Sequence, residues 1–145
     1  MNELKDAQPA WVKMRSVVDS GAADHVTNRE TAPGVKVCPS PGSRRGQKYV
    51  AASGERIPNE GEQNLCVVTE AGAPAQMKYQ ITDVTRTLTS VAKLCDRGNR
   101  VTFGRGGGVI QNLKTGQMTS FKRSGGIYTL DVWVKNDDLG FQRPS

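Results

Sequence analysis

The sequence is poor in what builds metal centres and most nucleophilic catalytic sites. Among 145 residues it has one histidine, His25, and three widely spaced cysteines, Cys38, Cys66 and Cys95. That set makes no recognisable zinc pattern, so no metal and no cofactor are expected. An odd number of scattered cysteines reads as free thiols in a reducing compartment. No serine or cysteine stands in a recognisable triad setting with His25, which reads as a loop residue near the site. No apolar run approaches membrane length, and Met1-Asn2-Glu3-Leu4-Lys5-Asp6 has no signal-peptide profile. A cytosolic chain without membrane contact is the expectation. Hydrophobic residues are only 36% and aromatics 6%, which limits the chain to one domain with a modest core.

Glycine and proline are abundant, at 16 and 7 residues, and favour short strands and turns over a helical bundle. The net charge of +6 and pI near 9.5 permit an acidic or nucleic-acid partner but specify neither. The positive residues are scattered except at Arg44, Arg45 and Lys48, which read as a solvated loop. Gly104 to Gly108 is glycine-rich, but no helix follows it, so it reads as a hairpin tip rather than a phosphate cradle. Nucleic acid is therefore not expected as a partner of this domain alone.

Residues 1–10 read as a flexible lead-in. From Trp11 to Val18 the chain alternates, with Val12, Met14, Ser16 and Val18 on one face, which predicts a half-buried strand delivering Asp19 to its end. A carboxylate leaving a buried strand sits where water is scarce and its chemistry is adjustable. Ala23 to Gly34 reads as a loop, Val35 to Cys38 as a short strand, and Pro39 to Ser43 as a turn. Gln47–Ala52 and Glu55–Pro58 flank Ser53-Gly54, a hairpin with a mobile tip. Its small residues Ala51, Ala52, Ser53 and Gly54 suit a lid over a ligand backbone. Further strands are expected over Leu65–Thr69 and Met77–Ile81. Leu88 to Gly98 reads as a short strand passing into one short helix, Val91–Asp96, closed by Gly98. The final strand, Ile127–Val134, puts Tyr128, Leu130, Val132 and Val134 on one face. Residues 135–145 read as a tail, and the ending at Arg143-Pro144-Ser145 reads as a cut from a longer polypeptide.

Three stretches carry a resemblance: Val18-Asp19-Ser20-Gly21-Ala22-Ala23-Asp24-His25-Val26, Leu88 to Gly98, and Gly125-Gly126-Ile127-Tyr128-Thr129-Leu130-Asp131. In this order, with the glycine-tipped hairpin between the first two, they resemble the retropepsin-like aspartic proteases. The nearest likeness is to the protease region of Ty1/copia-type retrotransposon Gag-Pol polyproteins. The third stretch resembles the start of the segment preceding integrase. The resemblance spans residues 11–134 and implies an all-β closed barrel of short strands and hairpins with one short helix.

The implied activity is aspartic-type endopeptidase cleavage of a peptide or polyprotein substrate by a homodimer, in the cytoplasm within a retroelement particle. Asp19 of each copy would be catalytic. Ser20 would brace the two active-site loops across the dimer, Gly21 would present its carbonyl to substrate, and Ala22 belongs to the same loop. Ala23 and Asp24 would line the cleft, with Val50, Ala51, Ala52, Ser53, Gly54 and Ile57 in the flap. Ser90 is also implied to be a substrate-binding residue, and the chain departs from the family pattern there, where retroviral enzymes have glycine, and at Ala22-Ala23, where many members have Ala-Thr. Three rival readings remain: a catalytically inactive retroelement remnant, a structural β-domain, and a basic nucleic-acid-binding module using Tyr49, Phe103 and Phe121.

Overall fold

The computed structural model describes residues 10–51 and 53–137. Most of the expected lead-in and tail, and Ala52 of the hairpin, lie outside the described residues. Within them the chain forms eleven strands and two short helices. In chain order the elements are β1 (Trp11–Asp19), β2 (Val26–Thr27), α1 (Pro41–Arg44), β3 (Lys48–Val50), β4 (Arg56–Pro58), β5 (Gly61–Thr69) and β6 (Pro74–Ile81). They continue with β7 (Thr87–Ser90), α2 (Val91–Asp96), β8 (Asn99–Phe103), β9 (Gly107–Asn112), β10 (Met118–Ser124) and β11 (Ile127–Lys135).

Nine strands form one mixed sheet in the order β1-β7-β2-β6-β5-β11-β10-β9-β8, and β1 pairs with β11 as well as with β7. Six strands therefore close into a ring, and β10, β9 and β8 continue beyond it. This corrects the expected closed barrel. The ring is irregular because β2 has two residues and β7 four, too few to carry an even stagger around a barrel. β3 and β4 form a separate hairpin.

The inward faces follow the alternation of the sequence. Met14, Ser16 and Val18 of β1 are buried, as are Leu130, Val132 and Val134 of β11. Leu65, Val67, Tyr79 and Ile81 from the β5–β6 hairpin complete the centre of the core. Three polar side chains buried there satisfy one another. The Ser16 Oγ and Thr89 Oγ1 atoms lie 2.7 Å apart, and the Tyr79 hydroxyl is 3.0 Å from Thr89. Such a linked set avoids the penalty of an orphaned buried hydroxyl and fixes β1 against β7 and β6.

Local differences have local causes. The expected turn at Pro39–Ser43 is the start of α1, because Ser40 and Ser43 form a reciprocal capping box around Pro41 at the first turn. This adds a second helix to the one expected. Val35–Cys38 is not a strand: only Cys38 bridges to Glu62. β2 lies inside the expected loop Ala23–Gly34, too short to register as a periodic pattern. The run from Gly104 leads into β9, and a Cβ at Gly108 would strike the Phe121 ring and the Thr102 carbonyl. Glycine is needed at that position so that β8, β9 and β10 can approach closely.

The first strand of the ring depends on the last, through a register running from Trp11 opposite Lys135 to Val17 opposite Thr129. A chain ended after Gly98 removes β8 to β11 and strips one edge of β1. It should show no cooperative thermal transition by circular dichroism, while the chain through Lys135 should show one; a cooperative melt of the short form would overturn the ring's dependence on β11.

Candidate active site around Asp19

Asp19 leaves β1 directly beside Ser90, the last residue of parallel β7. The Gly21 amide donates to the Asp19 Oδ1 at 2.7 Å, a local Asx turn that folds the chain back over the carboxylate. A Cβ on Gly21 would lie 3.3 Å from that oxygen, so the close turn favours the residue with none. Ser20 and Ala23 are exposed, and Ala22 is half-buried.

Ser90 holds this loop from the other side. Its Oγ donates to the Ala22 carbonyl at 2.6 Å and accepts from the Lys93 amide at 3.1 Å, while its own amide donates to His25 Nδ1 at 2.9 Å. One residue thus ends β7, caps α2 and ties down both halves of the loop between β1 and β2. Serine serves because a hydroxyl donates and accepts at once. The likeness places Ser90 among the substrate-binding residues, where retroviral enzymes have glycine; its capping role has a sequence signal of its own, a serine directly before the apolar start of a helix.

His25 is more than a neighbouring loop residue. It is 8% exposed, and its ring packs on Tyr79 at 5.2 Å between centroids. Because Nδ1 accepts from Ser90, the neutral ring carries its proton on Nε2. Burial pushes the imidazole down to about 4, with Asp24 opposing that shift and Lys93 and Arg97 reinforcing it.

Asp24 faces away from Asp19's recess and toward the hairpin. Its Oδ2 accepts from the Tyr49 hydroxyl at 2.9 Å and its Oδ1 lies 3.7 Å from Lys93 Nζ. Burial and the adjacent Asp24 carboxylate raise the Tyr49 phenol well above its usual value. Tyr49 is therefore the strut between β3 and the loop. Asn59 secures the same hairpin base: its Nδ2 donates to Tyr49 Oη at 3.3 Å and Gln80 Oε1 at 2.9 Å, and its amide donates to the Gln47 carbonyl at 2.9 Å.

Beyond that base the hairpin is open. Tyr49 faces Ile57 and Val50 faces Arg56 in register. The tip turns through Gly54 at φ +87°, whose amide donates to the Ala51 carbonyl at 2.9 Å. Val50 is 70% exposed, Ser53 and Gly54 are exposed, and Ala51 and Ile57 are half-buried. Among the described residues no hydrogen bond joins this tip to Asp19–Ala22; the connection is through Tyr49.

Two cavities flank the loop. An open recess of about 480 Å³ is lined by Asp19 and Ser20 with Val17, Phe103, Ile127 and Tyr128. A larger one, about 700 Å³, lies behind, where Asp24, His25 and Lys93 meet Met77, Leu94 and Val132. Of the two, the smaller recess is the one that Asp19 lines. The walls supplied by Phe103, Ile127 and Tyr128 come from β8 and β11, and no local motif marks them in the sequence. Of the aromatics considered for base stacking, Phe121 is 4% exposed and packs edge-on with Phe103 and Tyr128, while Tyr49 is held by Asp24.

Comparison of the chain with protein-family models, with curated proteins and with solved structures finds no match in any of the three. Among the described residues no cluster of three or more His, Cys, Asp or Glu is arranged to hold a metal ion, and no helix is long and apolar enough to cross a membrane.

The His25 clasp gives a signed pH dependence. The folded state holds the imidazole below its ordinary value of 6.5, so the unfolded chain takes a proton that the folded chain refuses between pH 6.5 and about 4. This contribution is complete above that window and is lost as pH falls through it, in total roughly 3 kcal/mol. Urea denaturation from pH 7 to 4 should show the loss. In His25→Asn, where an amide oxygen replaces the Nδ1 acceptor without titrating, that part of the slope should vanish; an identical slope in both proteins would remove His25 as the cause.

Proposed function

We propose that the chain is a retropepsin-like aspartic endopeptidase of a retrotransposon polyprotein, active as a homodimer in which Asp19 of each copy supplies one carboxylate. The observation that carries this reading is the setting of Asp19: a carboxylate at a strand end, beside a parallel strand, in a short loop pinned from both sides by Gly21 and Ser90. A catalytic carboxylate must be held still, because misplacement of the reacting groups costs rate steeply. An ordinary surface turn has no need of cross-links to a neighbouring strand.

In this reading a two-fold axis brings two Asp19 side chains together, so one motif per chain makes a complete pair. Two carboxylates at close range share one proton. The ionised member takes a proton from a bound water, which attacks the scissile carbonyl while the protonated member donates to the carbonyl oxygen. The tetrahedral diol collapses as the amide nitrogen leaves with a proton. The titration belongs to the pair and not to either residue. Ser20 would brace the two loops, Gly21 would meet the substrate backbone, and Ala22, Ala23, Asp24 and Ser90 would shape the cleft. The β3–β4 hairpin, with Val50, Ala51, Ser53, Gly54 and Ile57, would close over an extended peptide. Its anchored base and free tip suit that motion. The compartment implied is the cytoplasm, within the retroelement particle.

Purified protein incubated with peptides from its own polyprotein should cleave them, be blocked by a statine-type transition-state mimic, and be indifferent to metal chelators. Asp19→Asn should lower kcat/KM by about 10²–10⁴-fold or more. Equal rates in the two proteins would falsify the assignment. The active species should sediment near twice 15.7 kDa; activity confined to a monomer would rule out the shared pair.

A further inference from the structure

We infer that the outer face of β1 and β11 binds single-stranded nucleic acid, with Trp11 and Trp133 stacking on bases and Lys13, Lys122 and Lys135 facing phosphates. Alternation along each strand fixes which residues lie outside. The inward set is Met14, Ser16 and Val18 on β1 and Leu130, Val132 and Val134 on β11. Trp11, Lys13 and Arg15 therefore point outward, with Asp131, Trp133 and Lys135 beside them.

The register makes a compact pattern of this face. Trp11 lies opposite Lys135, Lys13 opposite Trp133, and Arg15 opposite Asp131. The two indoles are thus diagonal neighbours, roughly 7–8 Å apart along the sheet. Trp11 is 42% and Trp133 44% exposed, an unusual state for a large aromatic unless it meets a partner. The Lys135 ammonium sits 5.8 Å above the Trp11 ring, so cation and aromatic surface are presented together. Lys122 of β10 joins the group through Thr129, its register partner on β11.

Charge decides the class of partner. Among the described residues, Asp131 and Glu70 are the acids that act on Arg15 of this group. Arg15 is engaged with Asp131 through hydrogen bonds of 2.8 and 3.0 Å, and Lys13 reaches that carboxylate only at 3.9 Å. Lys13, Lys122 and Lys135 bring three further positive charges to this face, Lys13 beside the same carboxylate and Lys135 over the Trp11 ring, interleaved with two flat aromatic surfaces. A membrane-binding or purely apolar protein surface has no need of that alternation, whereas a single strand offers phosphates and unpaired bases together. The positive stripe is absent from the linear sequence because its members come from three strands separated by up to 122 positions, from Lys13 to Lys135. This site is independent of the protease reading, and Asp19 takes no part in it.

The test is direct because Trp11 and Trp133 are the chain's only tryptophans, so intrinsic tryptophan fluorescence reports this face alone. Titration with a twelve-nucleotide oligo(dT) or oligo(rU) at 50 mM salt should give saturable quenching. Three neutralised phosphates give a salt slope near −2, or about 20-fold weaker binding at 200 mM. Trp133→Ala should weaken binding at least tenfold with the slope unchanged, and Lys122→Gln should reduce the slope by about 0.7. Both positions are exposed, and an unchanged melting temperature checks that each variant is folded. No quenching at 50 mM salt, equal affinity in Trp133→Ala, or equally tight binding of polyglutamate would overturn the inference. So would concentration-dependent shielding of both tryptophans that excludes the oligonucleotide, which would assign the face to a second copy.

Discussion

The parallel pairing of β1 with β7 is the constraint on which the rest of the structure depends. It sets Asp19 against Ser90, and Ser90 cannot satisfy its amide and hydroxyl without reaching into the loop that follows Asp19. The strand pair, the helix cap and the loop are therefore one hydrogen-bonded unit. A shift of β7 by one residue would turn Thr89 away from Ser16 and Tyr79, leaving buried hydroxyls without partners. The polar core of the ring and the geometry around Asp19 are fixed by the same register.

A second layer of coupling runs outward from that unit. Asp24 receives Tyr49 from the hairpin and Lys93 from α2, so the loop holding Asp19 has a mechanical connection to the separate β3–β4 hairpin. Asn59 keeps the hairpin base in place while its tip is left to solvent. Cross-links and solvent exposure are thus separated along a few residues. The tethered part lies at Tyr49 and Asn59, and the exposed part at Ser53 and Gly54, where backbone contacts are local.

What was legible in the sequence is what local periodicity encodes. β1, β11 and the β7-to-α2 passage are each long or punctuated enough that alternation, a serine cap and a closing glycine mark them within a few residues of their ends. β2 has only two residues and pairs by virtue of its neighbours, so no pattern announces it. α1 hides in a Pro-Ser-Pro-Gly stretch whose composition signals a turn, and only the reciprocal Ser40–Ser43 bonding reveals a helix. Within the site, Asp19, Gly21 and Ser90 were visible by residue type and order. His25, Tyr49 and Asn59 were not visible in their roles, because a hydrogen bond between residues 25 and 90, or 24 and 49, is a product of topology. The ring itself was legible only as a barrel, since nothing local says that three more strands continue past it.

The union of β1 with β11 has a temporal side. Met14 meets Val132 and Val12 meets Val134, so the first strand of the domain finds one of its two partners only when almost the whole domain has been made. Contacts this distant in sequence are slow to form and close late. On the ribosome, β1 waits with one edge bare while more than a hundred residues emerge. The loop after Asp19 can be tied to Ser90 of β7 well before this, so the bracing of the loop and the closing of the strand that carries it are separated in time, the second coming only when residues 129–135 are available.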